Sequence, residues 1–249
     1  MHKLKQWYQD LNLQSKFTLV LLLIVSIPGI AIIFFFYGRA YDMVVSYTIR
    51  QEQDRSAETA PLIEESIQKV LDVSEEISSL DFYQTLFKNA ITDSFTNLAD
   101  SPDAASFSQK VDQLITGTPV TNVKIYMEVP KGSPSDINAL LDKEDLKDTF
   151  LSLDQIRGTY WYGIFRGSRV SQLFCPSFYL GTKEQKAYGD QAYITHASVI
   201  YNNGTYDAYM AVYYSGHDFQ QILSENLTLD GSVSYIMNER NNLVSASSD

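Results

Sequence analysis

Cysteine occurs once in this sequence, at Cys175, so no intrachain disulfide can staple any part of the fold. A lone cysteine of this kind reads as a small buried hydrophobe. Histidine is nearly as scarce. His2, His196 and His217 are too scattered to form a metal cluster, and no HExxH is present. His196 sits in a strand-like run and His217 at a helix start, where neither needs a ligand. The sequence also lacks a Walker-type GxxxxGK[ST], a GxSxG elbow and a GxGxxG after a strand. Acidic residues are plentiful but dispersed, and no two of them form an acid–base couple. Catalytic residues, metal and cofactor are therefore not expected in these residues. Whether the parent protein is an enzyme is left open.

Positive charge is the next shortage. After Ala40 there are 15 Lys and Arg against 29 Asp and Glu, a formal charge of −14. Nucleic-acid affinity comes from neutralising phosphates with Lys and Arg. That excludes DNA or RNA as a partner of this stretch.

What the chain does have is one long apolar run. Phe17 to Tyr37, "FTLVLLLIVSIPGIAIIFFFY", holds 21 residues without a charge. As a helix it spans roughly 31 Å, about the hydrocarbon thickness of a bilayer. Pro28 and Gly29 are tolerable there, because membrane helices accept such residues when freed backbone groups find partners. Lys3, Lys5 and Lys16 precede the run with only Asp10 opposing. This bias places the N-terminus in the cytoplasm and residues 41–249 outside, with Trp7 and Tyr8 near the inner interface. The alternative is a cleaved signal peptide ending at Gly38-Arg39-Ala40, but secretory cores are usually shorter. An exported domain without disulfides must be held by its core, which fits a bacterial surface.

From Tyr41 to Ser79 the sequence is polar and free of glycine. Beneath the polarity runs a seam, Ala60, Ile63, Ile67, Val70, Ser74 and Ile77, spaced as one stripe of a helix. It suits either a coiled-coil dimer face or packing against its own domain. Pro61 is expected to kink or restart this helix. Ser101-Pro102 opens a second helix with a cap and a first-turn proline, Phe107, Val111 and Leu114 form its apolar face, and Gly117 ends it.

The period then changes. "VTNVKIYMEV" alternates Val123, Ile125, Met127 and Val129 against Lys124, Tyr126 and Glu128, the pattern of a half-buried strand. Residues 135–153 read as one or two short helices. "YWYGIF", "VSQLF", "QAYITHASVIY" and "TYDAYMAVYYS" follow, aromatic and β-branched, and read as antiparallel strands, with a hairpin turn at "NNG". Asp218 to Leu229 returns to helical spacing through Phe219, Ile222 and Leu223. The last stretch, "GSVSYIMNERNNLVSASSD", reads as strand, turn, strand. Without alternating strand–helix repeats the fold class is α+β.

Seventeen tyrosines, most of them after Tyr160, are the other abundance. Trp161, Tyr162 and Arg166 fall close together in "YWYGIFR". Amphipathic rings suit a pocket for small polar molecules, and an adjacent Arg can hold a carboxylate bidentately. The competing reading is that Trp161 and its neighbours fill the core under a sheet.

This layout resembles the double-Cache sensors of bacteria, and most of all the YesM-like sensor histidine kinases of Gram-positive species. Three places carry the likeness: "KFTLVLLLIVSIPGIAIIFFFYGRAY", "YITHASVIYNNGTYDAYMAVYYSGHDFQQIL" and "GSVSYIMNERNNLVSASS". The second is similar to the closing strands and helix of a membrane-distal Cache lobe, the third to the hairpin opening a membrane-proximal lobe. The resemblance implies a cytoplasmic stub (1–16), a transmembrane helix (17–37) and a long juxtamembrane helix (38–80). A PAS-like antiparallel distal lobe (81–229) and the opening hairpin of a second lobe (230–249) would follow. The rest of that lobe, a second membrane helix and a kinase core are then expected beyond Asp249.

Amino-acid-binding members of the family use an Arg near a Trp-Tyr pair, a further Tyr and an Asp. Trp161-Tyr162 matches the pair, Arg157 precedes it at longer spacing, and Tyr179 in "CPSFY" matches the later Tyr. Asp190 and Asp207 are both open for the Asp. The expected ligand-binding residues are thus Trp161, Tyr162, Arg166, Tyr179 and Arg157. Implied partners are the bilayer, a small polar ligand or an extracellular binding protein, a second copy of the chain, and a cytoplasmic response regulator for the parent protein. A membrane-tethered AraC-type regulator or a chemoreceptor would carry the same outside architecture.

Overall fold

The computed structural model describes residues 12–88, 95–128, 137–168, 170–188, 191–201, 204–226, 232–238 and 241–247. Residues 1–11, with Lys3, Lys5, Trp7 and Tyr8, lie outside them, as do Val129, Asp190 and Asn202-Asn203. Contacts divide the chain into two units, Met1–Ser56 and Ala57–Asp249.

The first unit is helical. Helix α1 runs from Leu13 to Ser79, so it also enters the second unit. Asn12 precedes it, and its Oδ1 accepts from Ser15 N at 2.8 Å, satisfying one free N–H of the first turn. The helix continues through Pro28, Gly29 and Pro61. The helix does not restart at Pro61, which buried Thr59 and Ile63 flank. Its apolar window has a mean hydropathy of 3.0 and no residue buried within the chain. One long apolar helix near the N-terminus is compatible with a single membrane span.

The second unit is α+β. A five-stranded sheet has the order β2-β1-β5-β4-β3: β1 Val120–Met127, β2 Phe150–Ser152, β3 Gln172–Cys175, β4 Gln191–Tyr201 and β5 Gly204–Tyr214. The β4–β5 hairpin pairs along its whole length, from Gln191↔Tyr214 to Tyr201↔Gly204. The expected all-antiparallel sheet is corrected in one place, because β2 lies parallel to β1 with Ile125 opposite Phe150. A parallel neighbour needs a crossover, here the segment containing helix α5 (Asn138–Asp142).

Both faces of the sheet are covered. One face carries Val123, Ile125 and Met127 of β1 with Met210, Val212 and Tyr214 of β5. Against it pack Ile63, Val70, Val73 and Ile77 of α1, and Phe82 and Leu86 of α2 (Asp81–Phe87). Phe95 of α3 (Phe95–Ala99) and Phe107 of α4 (Pro102–Ile115) complete that layer. Phe82, Phe107 and Phe150 form a triad of rings with centroids 5.3 to 6.0 Å apart. The seam of α1 is therefore occupied by its own domain, with Ala60 alone of its six residues exposed.

The other face carries Tyr126, Tyr209, Ala211 and Tyr213. Strand β1 is accordingly buried on both faces, Lys124 included, and not half-buried as its alternation suggests. Lys124 donates from Nζ to the Asp148 carbonyl and lies 5.2 Å from the Tyr188 ring centroid. "YWYGIF", expected as a strand, is helix α6 (Tyr160–Gly167), and it packs on this second face. Helix α7 (Thr182–Tyr188) follows β3, and α8 (Gly216–Glu225) follows β5, placing Phe219 and Leu223 in the core.

Helix α4 forms as its sequence dictates. The Ser101 hydroxyl accepts from Ala104 N, Pro102 occupies the first turn, and Gly117 leaves the helix at φ +79°. Strands β6 (Tyr235–Met237) and β7 (Leu243–Ala246) form a separate two-stranded sheet, as the final alternation suggests. Asn242 ties this hairpin to the body by donating from Nδ2 to the Tyr179 hydroxyl.

Candidate functional site

Helix α6 begins where the Thr159 hydroxyl accepts from Tyr162 N and donates to the Ile156 carbonyl. Its 3.6-residue period turns Trp161, Tyr162, Ile164 and Phe165 inward and leaves Arg166 exposed. The competing reading of the sequence thus describes where Trp161 sits. Its ring is fully buried, and its Nε1 donates to both oxygens of Glu184 at 3.1 and 3.2 Å.

Glu184 is the centre of this face and is itself buried. Tyr213 donates its hydroxyl to Oε1 at 2.7 Å, and Gly181 donates its backbone N–H to Oε2 at 2.8 Å. Tyr126 and Tyr213 hydroxyls stand 2.9 Å apart. With Tyr213 donating to the carboxylate, Tyr126 is the donor of that pair. The Gly181 bond is the second half of a capping box, in which a third-position Glu reaches back to the cap residue's N–H. Gly181 is closely fitted, since a Cβ there would meet Thr159 Cγ2 at 3.3 Å.

The surroundings titrate accordingly. Burial first, and the Glu184 charge after it, push up the Cys175 thiol and the Tyr188 phenol. Burial likewise raises Tyr126 and Tyr213. A buried neutral thiol is not a nucleophile. The Glu184 carboxylate accepts from three donors, Trp161, Tyr213 and Gly181, which fixes its place in this layer. Among the described residues no cluster of His, Cys, Asp and Glu is placed to hold a metal.

The five residues expected to bind a ligand are partly brought together. Trp161 and Tyr162 both meet the Tyr209 ring edge-on, at 6.3 and 5.4 Å, and the charge of Arg166 is felt at the Tyr209 phenol. That phenol is pushed up to about 12, by burial first, then by Asp207, Tyr162 and Glu128, with Arg166 opposing. Arg157 is exposed and engaged elsewhere, with Glu128 at 3.2 Å and Asp154 at 2.7 Å. Tyr179 belongs to the same buried cluster as Trp161 and Tyr162, with its ring edge-on against Tyr160 at 4.7 Å and Phe178 at 4.8 Å.

Tyr209 and Glu184 escape a sequence reading. Glu184 lies in "GTKEQKAY", where flanking lysines make it look solvated, and its only signal is the spacing from Gly181. A separate cavity of about 440 Å³ is bounded by α1, β3, α8 and the β6–β7 hairpin, and none of the five expected residues lines it. Comparison with family models, curated proteins and solved structures finds no match to this chain in any of the three.

Proposed function

We propose that this chain is the membrane-anchored, extracytoplasmic sensing region of a double-Cache, YesM-like sensor histidine kinase. One observation carries the reading. A single helix, α1, holds both the apolar segment and the stretch from Ile63 to Ile77 that is built into the core of the sheet unit. Any event that repacks that core acts directly on a helix long and apolar enough to cross a bilayer. A ligand shifts such a system only by its differential affinity for two packings, and a shared core helix is where the two packings would differ. The strongly acidic composition after Ala40 suits an input module that does not bind nucleic acid. The expected signal is a small polar ligand or a binding protein, and the expected assembly is a homodimer.

Orientation provides the test. In intact cells, a membrane-impermeant thiol reagent is expected to label Ala105→Cys, at an exposed position of α4, and to spare Gln14→Cys. Cys175 is fully buried and contributes no background. The reverse labelling pattern removes the reading. The output class is tested by the downstream reading frame: a phosphoacceptor histidine and ATP-binding glycine motifs are expected, whereas a helix-turn-helix pair would make the parent a transcription regulator.

A further inference from the structure

The cavity beside β3 differs in character from the aromatic face around Glu184. Its volume, about 440 Å³, is that of a small-molecule site. Among its twelve wall residues only Gln172, Tyr214 and Asn238 carry a hydrogen-bonding side chain, and none is charged. Such a wall offers no charge to a zwitterion or a phosphate and few partners to a sugar with many hydroxyls, so each would lose hydration with little compensation.

Tyr214 supplies the second observation. It belongs to this wall, it is fully buried, and its hydroxyl makes no hydrogen bond among the described residues. Buried tyrosine hydroxyls ordinarily find a partner, and one left without carries a standing cost. Burial also raises its pKa, so the hydroxyl remains a donor across the physiological range. The wall is assembled from parts that are independent of one another: Ile67 and Leu71 of α1, Phe174 of β3, and Ile236 of a hairpin outside the main sheet. A two-stranded hairpin is marginal by itself, so whatever fills the cavity helps decide how firmly the hairpin docks.

We propose that this cavity is a binding site for a small amphipathic molecule, with an apolar body against α1, β3 and the hairpin and one hydrogen-bond acceptor that takes the Tyr214 proton once the ring turns its sealed hydroxyl into the cavity. The site stands independently of the sensory reading and calls for a ligand chemistry different from the polar one that reading expects.

The test uses the full chain in lipid nanodiscs and two photoreactive probes, phenyl(trifluoromethyl)diazirine and its benzyl alcohol derivative, with adducts located by peptide mass spectrometry. Saturable adducts are expected on the β3 and β6 peptides, alongside non-saturable labelling of the apolar segment of α1. Filling the cavity by Leu173→Trp, or by Val244→Trp from the hairpin side, abolishes the first and spares the second. Should one filling variant not fold, the other decides. Tyr214→Phe weakens saturation by the alcohol about two- to tenfold, the worth of one hydrogen bond, and leaves the hydrocarbon probe within about twofold. Adducts confined to the apolar segment, or cavity adducts that survive both filling variants, overturn the site. Equal effects of Tyr214→Phe on the two probes overturn the role of its hydroxyl.

Discussion

Trp161 and Glu184 are joined inside the protein by a forked hydrogen bond, one indole N–H shared between two carboxylate oxygens at 3.1 and 3.2 Å. Glu184→Ala strands the donors of Trp161, Tyr213 and Gly181 together. Each stranded donor costs about 1–3 kcal/mol, so a total of about 3–5 kcal/mol is expected, allowing for relaxation. Glu184→Gln keeps one acceptor oxygen but turns an amide toward a donor, at about 1–2 kcal/mol. Denaturant unfolding followed by Trp161 fluorescence, in a Trp7→Phe background, ranks the two. Equal and negligible losses would mean that the carboxylate does not organise this face.

Alkaline pH is expected to unfold the protein through its tyrosines. Burial pushes Tyr83 and Tyr209 up to about 12, against 10.0 for an ordinary phenol, and raises Tyr126, Tyr213 and Tyr214 as well. The unfolded chain therefore loses its phenolic protons first. Their stabilising contribution is complete below pH 10 and declines as pH rises through about 12. Lys124 works in the opposite sense, since desolvation lowers its pKa and its cost fades as pH approaches 10.5, but it is one group against six phenols, Tyr188 included. Tyrosinate absorbance should lag behind that of the denatured chain and then rise together with loss of fold. A smooth titration of all tyrosines with the fold intact would contradict this.

Cys175 should be inert in the native protein. It is fully buried and its thiol is raised by burial, so the thiolate is scarce. Ellman's reagent is expected to react only on denaturation. Stoichiometric reaction of the native chain at mildly alkaline pH would show that the second face opens readily.

Shortening the chain separates the hairpin from the core. A chain ending at Asn226 loses β6–β7, with the Asn242–Tyr179 hydrogen bond, and should remain folded with a lower melting temperature. A chain ending at Ser215 also loses Phe219, packed 5.3 Å from Tyr214, and Leu223. Removing buried Phe and Leu side chains costs about 3–5 and 2–5 kcal/mol, so this chain should not fold. Thermal unfolding of both, followed by circular dichroism, reads the difference. Equal melting of the two would place α8 outside the core.

Local signals in the sequence were reliable where one residue does one job. Ser101, Pro102 and Gly117 delimit α4 as their backbone preferences require, and the β-branched and aromatic runs around "NNG" become the long β4–β5 hairpin. The signal failed where burial is two-sided. Helix α6 presents so many aromatics that it resembles a strand, although Trp161, Tyr162, Ile164 and Phe165 keep helical spacing and Thr159 caps them. Strand β1 alternates in polarity, yet Lys124 and Tyr126 are covered by the second layer. No local pattern could reveal the parallel pairing of β1 with β2, because it is decided by packing between residues 25 apart, Ile125 and Phe150. Glu184 was illegible for the same reason, since its side-chain partners Trp161 and Tyr213 are distant in sequence.

The central hairpin is longer than the strands beside it. Strand β3 covers β4 only from Ala192 to Thr195, and β1 covers β5 only from Ala208 to Tyr214. The rungs from Val199↔Tyr206 to Tyr201↔Gly204 are thus held across the hairpin alone among the described pairings. Amide hydrogen exchange should therefore be graded along one continuous element. Ile194 and Ala211, flanked on both sides, would exchange only through global unfolding, while amides toward Tyr201 and Gly204 would exchange through local opening at lower free energy. The same two strands would then report, at their two ends, on two different stabilities of one protein.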